Sequence, residues 1–340
     1  MRTSSHHSEI ALRDSSPAVP CPYCLIGEPP GSQARTLVDV GQQNDRKGLV
    51  CTFLAYGLWG VFPLYFNLLD RSGALEIVAH RIWWTLIFCI IGVTIIGQWG
   101  KVRQVFSNKK LLGTLLCGGV LVSLNWLIYI YAIVAGHVVD GALGYFINPL
   151  LTVVLAMIFL HERISRIQAV ALGIGLAAVL VIVIGMRSVP WIGLSLALTF
   201  GLYTLVKNRV GGQVSAFIGL GIEALALGPL SAVYIVVLEI TGHGTFTSIS
   251  PGYALLLVAS GIVTAVPLLF FAVGAARLPM VSMAFIQYIQ PVIQFILGVT
   301  VFGEHMPVVR WIGFILVWVA LVILTWDIVR RGRAHNQEIG

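Results

Sequence analysis

The chain of 340 residues is 58% hydrophobic and only 10% charged, with a mean hydropathy of +0.92. Soluble domains carry about 25% charged residues, so the composition excludes a water-soluble globular protein. The net charge of +7 comes from cations scattered singly and in short loops, which argues against nucleic-acid binding and suits membrane orientation.

Residues 1–45 are rich in Ser, His, Pro, Gln and charge, without a continuous apolar core. They read as a disordered cytoplasmic tail. Cys21 and Cys24 form a CxxC pair there, but no second pair completes a zinc set. Cys51, Cys89 and Cys117 lie in apolar runs, where cysteine acts as a small hydrophobe. Neither a metal site nor a disulfide framework is expected.

From residue 48 onward, apolar runs approach or exceed the roughly 20 residues that cross a bilayer. Charges and turn residues divide them into ten predicted helices at 48–69, 77–98, 110–132, 139–160, 167–185, 190–206, 214–238, 252–276, 281–302 and 309–327. Hydrocarbon forces each segment to satisfy its own backbone groups, and the runs are too long and uniformly apolar for barrel strands. The expected fold is an all-α membrane protein of ten transmembrane helices.

Polar residues inside such runs are costly and mark the bundle interior or a solute path. At the start of the second run, His80 and Arg81, with Glu76 about one turn earlier, are spaced to lie near one another at a helix end. Asn125 and Trp126 follow in the third. Asp140 opens the fourth as an expected N-cap, and Gly144, Tyr145, Asn148 and Pro149 lie further along it. Glu223 stands alone in the seventh run, where it could bind a cationic solute, carry a proton, or pair with a basic group. Pro267 interrupts the eighth. In the ninth, Gln287, Gln290 and Gln294 are spaced to share one face, beside Tyr288 and Pro291.

The two halves repeat. Ile147-Asn148-Pro149 with Glu162 matches Ile289-Gln290-Pro291 with Glu304, at an offset of 142 and with thirteen positions from proline to glutamate in each. At the same offset Tyr129 aligns with Phe271, Phe146 with Tyr288, and Arg81 with Glu223. The last alignment suggests an Arg81–Glu223 contact across the repeat. Residues 46–186 and 187–330 are thus two five-helix repeats, followed by a cytoplasmic tail at 331–340. An odd number of spans inverts the second copy, the construction by which many secondary transporters place one central site that opens to either side. Glu162 and Glu304, at equivalent helix ends, are expected to fix loops or gate.

Fourteen Lys and Arg fall on one side of the predicted topology and three, Arg71, Arg187 and Arg310, on the other. That bias places both termini in the cytoplasm. No nucleotide-binding loop, metalloprotease motif, nucleophile elbow or cofactor signature occurs. The expectation is no enzyme and no cofactor; the partners are the lipid bilayer and a small-molecule solute, with protons as a candidate coupling ion. A homodimer has no support in the sequence. Besides a transporter, a passive channel and a non-transporting scaffold or sensor remain open.

The segments AYGLWGVFPLYF (55–66), HR (80–81), LNWLIYIYA (124–132), LGYFINPLLTVVLAMIFLHER (143–163) and FIQYIQP (285–291) resemble those of the RarD family, EamA-type members of the drug/metabolite transporter superfamily. The resemblance covers about 48–330. It implies a ten-helix permease of the bacterial inner membrane that exports drugs or small metabolites. His80, Arg81, Asn125, Trp126, Gly144, Tyr145, Asn148, Pro149 and Pro291 match its hallmark positions.

Overall fold

The computed structural model describes residues 46–160, 164–210, 213–275, 277 and 286–339, all within one compact unit, Asn44–Gly340. The expected tail, its Cys21 and Cys24, and Glu162 lie outside the described residues. Among those described, every regular element is a helix.

Helices α1 (46–60) and α2 (Phe62–Asn67) form the first apolar run, separated at Val61. Pro63 begins α2, where its missing N–H costs nothing. Helix α3 (Ala74–Ile96) ends on Gly97 at φ 71°, a left-handed cap that a side chain would strain. A short helix α4 (Trp99–Ser107) follows, where the sequence reading placed a connecting loop. Trp99, Val102, Val105 and Phe106 recur at three- and four-residue spacing and make one face apolar. Val105 on that face is buried, while Lys101 and Arg103 are exposed. Nine residues with two cations fall below a span-length hydropathy signal, yet they suit a helix lying in the membrane interface.

Asn108 caps α5 (Lys109–Val134) by accepting from Leu111 N at 3.1 Å. Helix α6 (Val138–Leu160) holds Pro149 in its interior. A reciprocal Ser165–Gln168 capping box starts α7 (Arg166–Met186), and α8 (Trp191–Val210) follows. Helices α9 (Ala216–Leu225) and α10 (Gly228–Ile240) meet at a 53° bend. Pro229 at the start of α10 cannot extend the ladder of α9, which accounts for the break. The last elements are α11 (Pro251–Ala275), with Pro267 inside it, α12 (Ile289–Thr300) and α13 (Val308–Ile339).

Seven helical segments among the described residues are long and apolar enough to cross a membrane, or eight if the bent α9–α10 pair is one span. Helices α8 and α12 are apolar but shorter, over Trp191–Lys207 and Ile289–Thr300. The chain is therefore an all-α, multi-span membrane protein. Its outer faces agree: Ile95, Ile184 and Ile240 are each at least 74% exposed, which only lipid tolerates over so much surface.

Helix α3 packs on α5, α9, α10 and α11; α8 packs on α5 and α6; α6 packs on α12; and α7 packs on α13. Helix α1 meets α11 where Tyr56 contacts Phe271 edge-on and Trp59 packs against it at a tilt, and meets α12 where Gly60 faces Ile293. A buried cluster around Phe66, Ile77, Ile130 and Leu196 joins α2, α3, α5, α8, α9 and α11. A second around Phe146, Ile182, Phe314 and Val317 joins α6, α7, α12 and α13.

The helix ends sort into two layers. One holds Ser72 with Tyr253, Glu76 with Thr245, Asp140 with Arg310, and Tyr131 with Trp191. The other holds Ser165 with Asp327 and Gly92 against Phe217.

Candidate functional site

Arg81 sits two turns into α3, 3% exposed, between α2, α5 and α11. Its Nε donates to Thr264 Oγ1 at 2.7 Å. The guanidinium lies 4.2 Å from the Trp126 ring centroid, 5.2 Å from Phe66 and 5.5 Å from Phe62. A charged Arg in a membrane helix costs on the order of 3 kcal/mol by insertion scales. A desolvated cation–aromatic contact returns about 2 kcal/mol, so this cage offsets much of the penalty. Arg81 Nη1 has no hydrogen-bond partner among the described residues.

Beside it, α5 and α6 supply a polar layer. Asn125 Nδ2 donates to Leu196 O at 3.1 Å and Thr199 Oγ1 at 2.9 Å, fixing α5 to α8. Tyr145 OH donates to Asn125 Oδ1 at 3.4 Å, and the Tyr145 and Tyr129 rings meet edge-on at 5.7 Å. Gln294, fully buried on α12, donates to Tyr129 OH at 2.8 Å and Trp59 O at 3.0 Å. Gln294 Oε1 and Asn148 Oδ1 are buried without partners among the described residues. The arrangement gathers an orphaned donor on Arg81 and orphaned acceptors on two amides in one water-poor interior, where each carries a cost until paired.

Gly144 and Gly193 let α6 and α8 touch backbone to backbone here. A Cβ on Gly144 would lie 2.7 Å from Gly193 O. Pro149 lies one residue beyond Asn148, so part of the α6 ladder opens beside this layer. Pro291 is buried in the first turn of α12.

Glu223 occupies a different place. Its Oε1 accepts from Lys207 Nζ at 2.5 Å and its Oε2 from Tyr203 OH at 3.0 Å. Gly119 of α5 packs against its backbone carbonyl. The expected Arg81–Glu223 contact is therefore not formed. Gly221 and Gly228, which flank Glu223, pack on Cys89 and Leu86 of α3. These lie about one and a half to two turns beyond Arg81, roughly 10 Å along the axis. Lys207 was assigned to a loop because hydropathy fades there, but α8 runs to Val210 and the lysine stem reaches back to Glu223.

The remaining candidates serve the helix ends. Glu76 accepts from Thr245 N at 2.7 Å and Thr245 Oγ1 at 2.9 Å. His80 stacks on Phe246 at 5.0 Å and accepts from Trp84 Nε1. Consecutive residues diverge by about 100° on a helix, so His80 and Arg81 face different neighbours and the Glu76–His80–Arg81 grouping divides. The glutamine stripe divides too: Gln287 lies in the turn before α12, Gln290 is half-buried in its first turn, and only Gln294 reaches the centre.

Glu304 Oε1 and Oε2 accept from the backbone N of Val138 and of Val139, closing the N-terminus of α6. Asp140 is thus not the N-cap. It lies in the first turn and pairs with Arg310 at 3.4 Å and His137 at 3.5 Å, because the cap comes from a distant segment. Burial, with Asp140 adding to it, pushes the Glu304 carboxyl up to about 7 against the pull of the two amides and Arg310. A cavity of about 200 Å³ opens beside this cluster, lined by Tyr131, His137, Asp140, Trp191 and Arg310 among others. Thr264 and Thr199, which contact Arg81 and Asn125, and Lys207, which pairs with Glu223, gave no sequence signal: two are small hydroxyls in apolar runs and one sits at a fading helix end.

No group of three His, Cys, Asp or Glu among the described residues could hold a metal. The profile of the EamA-like transporter family matches residues 46–184. "Protein RarD" of Streptomyces exfoliatus is 42% identical over 88% of this chain and 94% of its own. "Protein RarD" of Escherichia coli (strain K12) is 37% identical over 87% and 99%, and "Uncharacterized transporter YojE" of Bacillus subtilis (strain 168) is 37% identical over 86% and 98%. A solved crystal structure aligns over 81% of this chain and 96% of its own with a TM-score of 0.54 at 19% identity, a likeness of fold. With full-length relatives at this identity, the chain belongs to the EamA/RarD family of membrane transporters, in the drug/metabolite transporter superfamily.

Proposed function

We propose that this transporter is a secondary permease that exports or exchanges small metabolites or drugs by alternating access. The two inverted five-helix repeats would be α1–α7 and α8–α13, with both termini in the cytoplasm of a bacterial cell. The observation that carries the reading is the pattern of helix pairings. Under the repeat, α1 corresponds to α8, α3 to α9–α10, α5 to α11, α6 to α12, and α7 to α13. The α8 contacts with α5 and α6 then mirror those of α1 with α11 and α12. The α3–α11 contact mirrors that of α5 with α9, while the α6–α12 and α7–α13 pairs map onto themselves. Such a pseudo-two-fold arrangement gives a central site two equivalent ways to close. The polar layer of Arg81, Asn125, Tyr145 and Gln294, with Asn148 beside Tyr145 on α6, is the candidate for that central site.

Access can be tested without knowing the solute. Single cysteines at Tyr145 or Asn148, in a background lacking Cys21, Cys24, Cys51, Cys89 and Cys117, are treated with a membrane-impermeant maleimide in right-side-out and inside-out vesicles. Labelling from both sides is expected; labelling from one side only, in well-folded protein, would refute alternating access. Proton coupling is read separately in reconstituted vesicles with an imposed proton gradient. Saturable flux that depends on the gradient and is lost in Glu223→Gln supports it. Flux that ignores the gradient and never saturates favours a passive channel.

A further inference from the structure

A guanidinium buried in a membrane bundle is ordinarily matched by a carboxylate, and Arg81 has none among the described residues. Glu76, Asp140, Glu223, Glu239, Glu304 and Asp327 each engage other groups, and Asp70 is exposed. Thr264 satisfies Nε alone, and the rings of Trp126, Phe66 and Phe62 present faces but no acceptor to Nη1. The site therefore keeps one uncompensated positive charge and an Nη1 amino group without an acceptor, walled by aromatic surface.

We infer that Arg81 receives the carboxylate of a small organic anion whose apolar or aromatic body packs against Trp126 and its neighbouring rings. This rests on the transporter reading above and names the solute class it would carry. Charge balance selects the class. One guanidinium neutralises a monoanion, whereas a phosphate dianion leaves a net negative charge in hydrocarbon and a cation adds to the charge already there. The carboxylate supplies a charge-assisted acceptor for Nη1. A purely structural Arg81, holding α3 to α11 through Thr264, has no reason to distinguish an acid from its amide.

The test is protection from thermal unfolding of the purified full chain at neutral pH. The probes are phenylacetate and indole-3-acetate, their neutral amides, and phenethylamine. The expected result is protection by at least one acid, with its amide about tenfold or more weaker, as the loss of one charge-assisted bond predicts. Arg81→Gln should abolish the acid preference and Arg81→Lys should retain part of it. Equal protection by acid and amide, protection by neither acid, or acid preference that survives in Arg81→Gln each overturns the inference. The wild-type comparison stands even where a variant fails to fold. Flux of neutral or cationic solutes without acid-selective protection removes the anion site and leaves the transporter; acid-selective protection without flux of any solute does the reverse.

Discussion

Replacing Gly144 by alanine tests the α6–α8 crossing that positions Tyr145 and Asn148. The added Cβ would stand 2.7 Å from Gly193 O, 2.9 Å from Leu196 Cβ and 3.0 Å from Gly193 Cα. Two of those atoms are backbone, so no rotamer change relieves the contact and the helices must part by about 0.6 Å to reach ordinary van der Waals separation. Overpacking of this kind costs about 1–3 kcal/mol, while alanine recovers up to about 1 kcal/mol of helix propensity over glycine. Gly113→Ala on α5 isolates the second effect, because nothing lies within 4 Å of its Cβ. Gly144→Ala should therefore melt below Gly113→Ala by about 2–6 °C, taking roughly 2 °C per kcal/mol for a chain of this size. The assay is thermal unfolding of both variants in one detergent at one scan rate. Equal melting temperatures would show that the helices are not in backbone contact at Gly144.

Glu304→Gln keeps one acceptor for the first turn of α6 and turns a donor toward the other amide, which should cost about 1 kcal/mol. Its pH dependence is sharper. The folded carboxyl titrates near 7, above its ordinary 4.5, so its contribution to stability is complete below about 4.5 and is lost as pH rises through about 7. Between these values the wild type should lose melting temperature relative to Glu304→Gln; the opposite slope would mean the capped amides outweigh burial. Lys207→Met leaves the buried Glu223 carboxylate without its cation and should destabilise by about 3 kcal/mol or more, whereas Lys207→Met with Glu223→Gln should recover most of that. Chemical unfolding of the three forms measures the difference. Arg187 ends α7 at φ 51°, so Arg187→Gly should relieve about 1 kcal/mol of left-handed strain and raise the melting temperature. For orientation, reporter fusions after Ser72 and Gly303 should read as external and one after Ser107 as cytoplasmic.

The long apolar runs were legible because burial in lipid needs only length and hydropathy; among the described residues seven of them, or eight with the bent α9–α10 pair, reach span length, while α8 and α12 are shorter. The proposed repeat rests in the sequence on the equal spacing from Pro149 to Glu162 and from Pro291 to Glu304. What escaped was whatever depends on partners far along the chain. Glu223 looked solitary because its cation lies on another helix, at an end where hydropathy has already faded. Thr264 gave no signal at all, since one hydroxyl in an apolar run can as readily bond its own helix. Helix α4 escaped for a different reason: its period is helical but its length and charge are those of a loop.

The closure of α6 by Glu304 has a temporal side. The acceptor lies 166 residues after the amide it satisfies, and at bacterial synthesis rates of about 5–20 residues per second that separation is roughly 10–30 s. During that interval the first turn of α6 must borrow water or lipid headgroups at the bilayer surface. The first half of the chain thus enters the membrane with one helix unfinished, and the last segments to leave the ribosome complete it.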